Sequence, residues 1–343
     1  MGKRLRSLVG LLALAVPAVV AGASGGAAAA AAHHITVGAA KPIPHALTLF
    51  DLSCPRGHAV THTVCGVALQ TDYNPYGLSL VRNGVPGPAR VVPPNGIAIA
   101  CPTTSTCVLA DRGGVGWVVD GNSAGIIALG GMDVLNAIAC PEVSRCIAVG
   151  NSGSADNQHA VYAVLDRGSE VANARRVAGA SFLNAISCLG GRCIAVGQSG
   201  QATGTQHGVV VGFAGDAPQK VRTARSLTTL VDVSCGGRAT CYAVGNSLQK
   251  GAQVPYVLPI SHGKPGKPAR DAAGVTALSC WDATDCLGIN NQAAARLHSG
   301  KVVATKRIKV PSPVQHVACP TAAGCLVSGG SYSGKQDVAV VRP

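Results

Sequence analysis

The sequence is poor in aromatic residues, and this shortage narrows the functional classes that it fits. Its 343 residues include only two Trp, six Tyr and three Phe, and these recur at no fixed spacing. Carbohydrate sites and single-stranded nucleic-acid sites usually stack their ligands on exposed rings. A lectin or a single-strand binder is therefore disfavoured, and we expect Trp117, Trp281 and Tyr162 to pack inside the fold.

Glutamate is scarcer still, which weakens a hydrolytic interpretation. Glu142 and Glu170 are the only two in the chain, and no H-E-x-x-H zinc motif occurs. Glycoside hydrolysis ordinarily needs a pair of suitably placed carboxyl groups, or a Tyr nucleophile assisted by a carboxylate and an arginine cluster. The sequence therefore favours a protein that is not an enzyme and predicts no catalytic residues.

Long apolar runs are missing after the first residues, while the start of the chain resembles an export signal. Lys3, Arg4 and Arg6 precede an apolar stretch at 8–20 that is short for a membrane span, and small residues follow at 21–23. We predict a signal peptide at 1–23, a low-complexity linker at 24–33 and one domain at 34–343. No transmembrane segment is expected after cleavage, so the protein should be secreted, extracellular or associated with the cell wall.

Acidic residues are outnumbered by basic ones. The chain has 28 Lys and Arg against 15 Asp and Glu, a formal charge of +13. Such a charge favours anionic partners, for example a phosphate-bearing wall polymer, although it also serves solubility. Only 264–270 and 301–309 are locally dense in basic residues, and neither resembles a nucleic-acid-binding arm. We therefore predict no specific nucleic-acid partner.

Cysteine is abundant, and its spacing reveals seven repeats. The first member of each pair recurs every 39 to 48 residues, and the second follows after four or five residues except in the first pair, where ten intervene. A regular period of this length indicates a repeat architecture. The pairs are Cys54/Cys65, Cys101/Cys107, Cys140/Cys146, Cys188/Cys193, Cys235/Cys241, Cys280/Cys286 and Cys319/Cys325.

Each repeat reads as four short strands, which is the pattern of a β-propeller blade. The third repeat, for example, has β-rich runs at 135–140, 146–150, 159–165 and 171–177. The seventh lacks a fourth strand, and His34 to Val37 is positioned to supply it. We predict an all-β, seven-bladed propeller whose ring is closed by an N-terminal strand. A parallel β-solenoid is the alternative, but such coils usually repeat over shorter periods.

The Cys pairs fit one disulfide within each blade. The first Cys ends one strand and the second opens the next, so a short hairpin loop places them opposite each other. An even Cys count in an exported chain is the setting in which disulfides persist. Metal binding would favour C-x-x-C pairs with His partners, which are missing here. We expect seven disulfides, no bound metal and no cofactor.

The repeat units resemble those of a known group of proteins. Ile186-Ser187-Cys188 with 193–197, and Val233-Ser234-Cys235 with 241–245, are similar to the Cys-paired propeller repeats of secreted actinobacterial proteins, near the sialidase-like Asp-box propellers. The resemblance covers nearly the whole mature chain. It implies a scaffold and no particular chemistry, because propellers carry many unrelated functions.

Two candidate binding regions emerge from comparing the repeats. Three residues before each first Cys, four repeats have Ala and three have a titratable side chain: Asp51, Asp232 and His316. If this strand is innermost, these three approach the axial channel and could hold a small cation or polar ligand. The structural alternative is that they hydrogen-bond within the ring. The enlarged first Cys loop, with Arg56, His58 and His62, is a predicted contact loop.

These observations predict a monomeric, non-enzymatic binding or scaffold propeller. Its partner would be an extracellular protein or an anionic cell-wall polymer, recognised by loops on one face of a rigid frame. One alternative is a glycoside-hydrolase-like or lyase enzyme with a site at the propeller axis. Another is a purely structural envelope protein.

Overall fold

The chain forms a seven-bladed β-propeller in which each blade is a sheet of four or five strands. We describe a computed structural model that covers residues 34–72, 76–93, 96–111, 113–154, 157–167, 169, 171–201, 204–308, 313–330 and 336–343. The predicted signal peptide at 1–23 and linker at 24–33 lie outside these described residues. The described residues contain no helix that is long and apolar enough to cross a membrane.

The blades are numbered in chain order, and the first strand of each carries or directly precedes the first Cys. In blades 1 to 4 the strands run as follows: Ala46–Ser53, Val64–Thr71, Tyr76–Arg82, Val85–Pro86 and Arg90–Val91; Ala98–Ala100, Thr106–Ala110, Gly114–Val119 and Asn122–Gly130; Val134–Glu142, Arg145–Ser152, His159–Asp166, Val171–Asn173 and Arg175–Arg176; Phe182–Leu189, Arg192–Ser199, His207–Ala214, Ala217–Pro218 and Arg222–Ala224.

Blades 5 to 7 repeat the same antiparallel order. Their strands are Thr229–Cys235, Thr240–Gln249, Ala252–Ser261, Lys264–Pro265 and Ala269–Arg270; Ala277–Cys280, Asp285–Ile289, Ala293–His298 and Lys301–Arg307; Val314–Thr321, Gly324–Gly329 and Asp337–Arg342, with Thr36–Val37 and Lys41–Pro42 from the start of the domain. One short 3-10 helix, Val60–His62, lies in the first Cys loop.

The inner strands touch their neighbours all the way around the ring, including the contact between blades 7 and 1. Closure uses the predicted N-terminal segment. Thr36–Val37 pairs antiparallel with Asp337–Arg342, and Lys41–Pro42 pairs with the same strand. Ile35 is buried and packs in the cluster between blades 6 and 7. The last blade is therefore built from both ends of the domain, which covers a sheet edge that would otherwise be free.

The hydrophobic core is divided into seven clusters, one between each pair of adjacent blades. The repeated Cys-x-Ala-Val-Gly segment explains how one strand serves two clusters. Successive side chains of a strand face opposite sides of its sheet. In blade 3, Cys146 and Ala148 pack toward blade 2, whereas Ile147 and Val149 pack toward blade 4.

The glycine that ends this segment is required by a close backbone approach. A Cβ at Gly150 would lie 1.9 Å from the carbonyl oxygen of Val134, and one at Gly197 would lie 2.0 Å from that of Phe182. These carbonyls belong to the start of the inner strand, where a β-bulge shifts the register. The final glycine of the Cys-x-Ala-Val-Gly segment is therefore needed because the backbone of the inner strand passes directly over the second strand at this point.

All seven predicted disulfides are present, one in each blade, and the described chain has no free cysteine. Each bond joins the inner strand to the second strand across their hairpin. Seven disulfides are typical of proteins that work in an oxidising compartment. The bonds are Cys54–Cys65, Cys101–Cys107, Cys140–Cys146, Cys188–Cys193, Cys235–Cys241, Cys280–Cys286 and Cys319–Cys325.

Blade 3 departs from the predicted strand pattern. The sequence predicts its fourth strand at 171–177, but Val171–Asn173 pairs parallel with Asn122–Gly130 of blade 2. Only Arg175–Arg176 pairs with blade 3 itself. Ala172 is buried in the cluster between these two blades, so its packing anchors the exchanged strand. The nine residues of Asn122–Gly130 offer an edge long enough to accept it.

Candidate functional site

An axial cavity of about 610 Å³ is lined by the inner strands of all seven blades. Its volume lies in the range of small-molecule sites. Asp51, Asp232 and His316, the three titratable residues singled out by comparing the repeats, all line this cavity. Arg56 and Glu142 are the other charged residues that line it.

The two members of each Cys pair differ in their relation to this cavity. First members from five blades line it: Cys54, Cys101, Cys140, Cys188 and Cys319. The second members do not line it. Each of them is at most 5% exposed and packs in a different cluster between blades: Cys65, Cys107, Cys146, Cys193, Cys241, Cys286 and Cys325. The disulfides therefore tie the cavity wall to the core, and their second sulfur takes no part in the candidate site.

Both axial carboxyl groups join neighbouring blades. The Asp51 oxygens accept hydrogen bonds from the backbone N–H groups of Leu52 in blade 1, at 2.7 Å, and Ile99 in blade 2, at 2.9 Å. Asp232 does the same between blades 5 and 6, accepting from Val233 and Leu278, each at 2.8 Å. The predicted structural alternative therefore has direct support, although each oxygen keeps a second lone pair for other partners.

The axial acids are held in an environment that disfavours their charge. Burial raises the pKa of Asp51 to about 6, because desolvation outweighs the backbone N–H groups that lower it. Burial also raises the pKa of Asp232 to about 7, and the negative charge of Asp51 adds to the effect. Neither forms an ion pair with Lys or Arg within the described residues.

His316 and Arg56 complete the polar wall without a hydrogen-bond partner among the described groups. The His316 Nδ1 lies 4.0 Å from the Asp51 Oδ1, too far for a hydrogen bond. Burial lowers the pKa of His316 to about 4, so this imidazole is neutral at neutral pH. Burial likewise lowers the pKa of Arg56, which keeps its charge because a free guanidinium titrates above pH 12.

These shifts predict how stability depends on pH. The folded-state pKa of Asp232 lies above its ordinary value, so its stabilising contribution is complete below about pH 4 and is lost as the pH rises through about 7. His316 acts oppositely, because its lowered pKa penalises folding as the pH falls from about 6.5 to 4.

We expect Asp232→Asn to remove part of the decline between pH 4 and 7.5, an effect of at most a few kcal/mol. The measurement is the melting temperature of the variant minus that of the wild type at each pH, which should increase across this window. Asp120→Asn is the control, since Asp120 is exposed and has a φ of 51° that Asn also tolerates. A flat difference for Asp232→Asn would show that Asp232 has no raised pKa.

The enlarged first Cys loop is docked against the ring. Val60 is 2% exposed and packs between blades 7 and 1, and the N–H of Gly57 donates to the Pro320 carbonyl at 3.0 Å. Arg56 enters the axial cavity, whereas His58 and His62 are exposed and do not line it. Across the described ranges, no group of three His, Cys, Asp or Glu side chains is arranged to hold a metal ion.

The serine that precedes the first Cys in four repeats joins blades in a way that the sequence alone did not reveal. Its Oγ accepts a hydrogen bond from the N–H of the first Cys in the next blade, at 2.9 to 3.0 Å. Recognising this role requires knowing that the strand is innermost. The serines are Ser53, Ser187, Ser234 and Ser279.

The basic residues gather on the outermost strands, although they look scattered along the sequence. In six of the seven blades these strands carry exposed Lys or Arg, and the outermost strands described contain no Asp or Glu. We call this set the basic rim: Lys41, Arg90, Arg175, Arg176, Arg222, Lys264, Arg270, Lys301, Lys306 and Arg307. Blade 2 is the exception, with no charged residue on its outermost strands.

Two segments match enzyme motifs by their letters, but the described residues in or after them lack what those motifs require. Residues 121–125 read G-x-S-x-G, but they begin the outer strand Asn122–Gly130 and do not form a strand-to-helix elbow. Residues 329–335 read G-x-x-x-x-G-K, yet Gln336 replaces the required Ser or Thr and a strand follows at Asp337–Arg342. Neither segment supports a hydrolase or nucleotide-binding interpretation.

Comparison with known proteins agrees with this architecture. No family model matches the chain, and no curated protein matches it. Among solved structures, Kuenenia stuttgartiensis hydrazine synthase is similar with a TM-score of 0.68 and 11% identity, covering 88% of this chain and 97% of that one. The Neurospora crassa Pan2 WD40 domain follows with a TM-score of 0.62 and 11% identity, covering 90% and 94%.

The WD40 propeller domain of Doa1 is similar at a TM-score of 0.56 and 10% identity, covering 89% of this chain and 97% of that one. These likenesses show the fold alone. At such low identity, the functions of those proteins carry no information about the sites described above.

Proposed function

We propose that this protein is a non-enzymatic extracellular binding propeller that holds an anionic cell-envelope polymer against its basic rim. The observation that carries the proposal is the single sign of charge on the outermost strands that the structure describes, where ten exposed Lys and Arg residues occur without an acidic one. A ring with a positive circumference attracts a polyanion from many directions and can contact it through several blades at once.

Protection of sheet edges is the structural explanation for charge in these positions. Edge strands often carry Lys to prevent pairing with other chains. That purpose needs charge of either sign, and mixed signs would keep the surface closer to neutral. The described acidic residues lie instead in the axial wall, in loops and toward the ends of other strands. The exclusion of acids from the rim supports polyanion binding in addition to edge protection.

The rim also exposes apolar side chains. Val85, Val91, Val171 and Val303 on outermost strands are between 41% and 60% exposed. Exposed valines between cations offer contact surface for the aliphatic parts of a polymer chain, while the cations bind its phosphates. The outermost strands are paired within their sheets, so the backbone beneath the rim cations is already ordered before binding.

The test compares two variants of equal charge against poly(glycerol phosphate). Arg222→Gln, Arg270→Gln, Lys306→Gln and Arg307→Gln together remove four rim charges. We expect at least about tenfold weaker binding at low salt, and a slope of log affinity against log salt that is smaller by about 3, because four fewer phosphates are neutralised and each releases somewhat less than one counterion. Isothermal titration calorimetry at several salt concentrations measures both quantities.

The matched control removes four exposed arginines from the side of the ring that carries the Cys loops: Arg82, Arg167, Arg192 and Arg238, each changed to Gln. It should retain affinity within about twofold of wild type after correction for net charge. Equal losses of affinity in both variants would show that binding depends only on the net charge of the protein and not on the rim. Loss in the control alone would place binding on the loop face, and an absence of binding to any polyanion would favour a protein partner.

A further inference from the structure

The axial cavity is separate from the basic rim, and the charged side chains on its wall favour a particular kind of ligand. Its wall carries Asp51 from blade 1 and Asp232 from blade 5, which sense each other electrostatically. Ala137, Ala185 and Ala277 occupy the corresponding positions of three other blades on the wall and leave the space between the acids open. The cavity thus presents two carboxyl groups from different sectors of the ring across an interior of about 610 Å³.

The hydrogen bonds around these acids leave each carboxyl oxygen with a second lone pair for a ligand. Backbone N–H groups occupy one lone pair on each oxygen, and no Lys or Arg pairs with either acid within the described chain. An ionised carboxyl group that is removed from bulk water is stabilised by a cation. The charged and titratable groups facing this space are Asp51, Arg56, Glu142, Asp232 and His316.

His316 is a second and separate indication of a ligand. Its side chain lines the cavity and is 23% exposed, and its nearest charged partner is 4.0 Å away. Polar side chains inside a protein normally have a hydrogen-bond partner from the protein or from bound molecules. A neutral imidazole provides one donor and one acceptor, and a ligand in the cavity would satisfy the nitrogen that faces it.

We propose that the axial cavity binds a small organic diamine, with one primary ammonium group held by Asp51 and a second held by Asp232. An ammonium group donates three hydrogen bonds and accepts none, which matches a wall of carboxyl oxygens. A directly coordinated metal ion fits less well, because the described residues offer no group of three ligating side chains. Arg56 lines the same cavity, so the ligand is also free to carry a carboxylate.

The experiment titrates the oxidised protein with 1,4-diaminobutane, with lysine and with calcium chloride by isothermal titration calorimetry at pH 6.5 and 8. We expect the amines to bind and calcium not to bind. Affinity should increase between pH 6.5 and 8, and binding at pH 6.5 should release protons, seen as an enthalpy that varies with the ionisation enthalpy of the buffer. This proton release is measured on the wild type and needs no variant.

Variants locate the site. Asp51→Asn and Asp232→Asn should each weaken amine binding at least tenfold, whereas Asp120→Asn on the surface should change it less than twofold. If either axial variant fails to fold, Ala137→Leu provides a second test, because it adds apolar bulk to the cavity wall without altering a carboxyl group and should weaken amine binding. Calcium binding without amine binding, no binding at all, or amine binding that survives both Asp232→Asn and Ala137→Leu would each overturn the proposal. None of these results depends on the rim.

Discussion

Reducing the seven disulfides is expected to unfold the protein at room temperature. Each bridge closes a loop with a sequence separation of 5, 6 or, in the first blade, 11 residues. The chain-entropy model assigns about 2 kcal/mol to a loop of this size. Seven such contributions are comparable to the whole net stability of an ordinary domain, which is about 5 to 15 kcal/mol.

The position of the disulfides makes this loss of stability severe. Each bridge joins the inner strand to the second strand, and the inner strand carries the hydrogen bonds that connect one blade to the next. The measurement is circular dichroism during thermal unfolding, with and without a reductant that is shown by thiol titration to open all seven bonds. A reduced protein that melts within a few degrees of the oxidised one would show that the blades hold together by packing alone.

Replacing Trp117 by Ala is expected to lower the free energy of unfolding by about 3 to 5 kcal/mol, the usual range for a buried Trp. Trp117 is 1% exposed and belongs to the cluster between blades 2 and 3. Its Nε1 donates a hydrogen bond to the Val143 carbonyl at 3.3 Å, in the Cys loop of blade 3. The substitution leaves a large cavity and an unpaired carbonyl at one blade interface.

Denaturant unfolding of the oxidised protein measures this effect. Trp281→Ala is the matched control, because Trp281 is only partly buried at the edge of the cluster between blades 6 and 7 and should cost less. The two substitutions remove the same atoms, so the difference between them reports the deeper burial of Trp117 together with its Nε1 hydrogen bond. Equal losses, or a loss below about 1 kcal/mol for Trp117→Ala, would contradict the packing described here.

The fold was predictable because the Cys pairs mark the same two strands in every repeat. Their period fixed the number of blades, and the incomplete seventh repeat indicated that residues near His34 would close the ring. The strand at Thr36–Val37 confirms this closure. The expected packing of Trp117 and Tyr162 between blades is confirmed by their burial, and Trp281, which is partly buried, packs against the cluster between blades 6 and 7.

The strand exchange at Val171–Asn173 was not predictable, because its cause is a long free edge in another repeat. For the axial site, the shared position of Asp51, Asp232 and His316, three residues before the first Cys on the inner strand, was enough to predict that all three line one cavity. The connections made by Asp51, Asp232 and the four serines were hidden, since each joins residues about 40 to 48 positions apart. The basic rim was hidden for a similar reason, because its members share a strand position in blades far apart in sequence.

Protection of lysines from acylation tests the basic rim most directly. The protein is treated with an amine-reactive ester, with and without saturating poly(glycerol phosphate), and each lysine is quantified by mass spectrometry. Lys41, Lys264, Lys301 and Lys306 lie on the rim, while the exposed Lys250 lies in a hairpin turn away from it. We predict that the four rim lysines become at least severalfold less reactive while Lys250 is unchanged. Protection of Lys250 with unchanged rim lysines would contradict the proposed function.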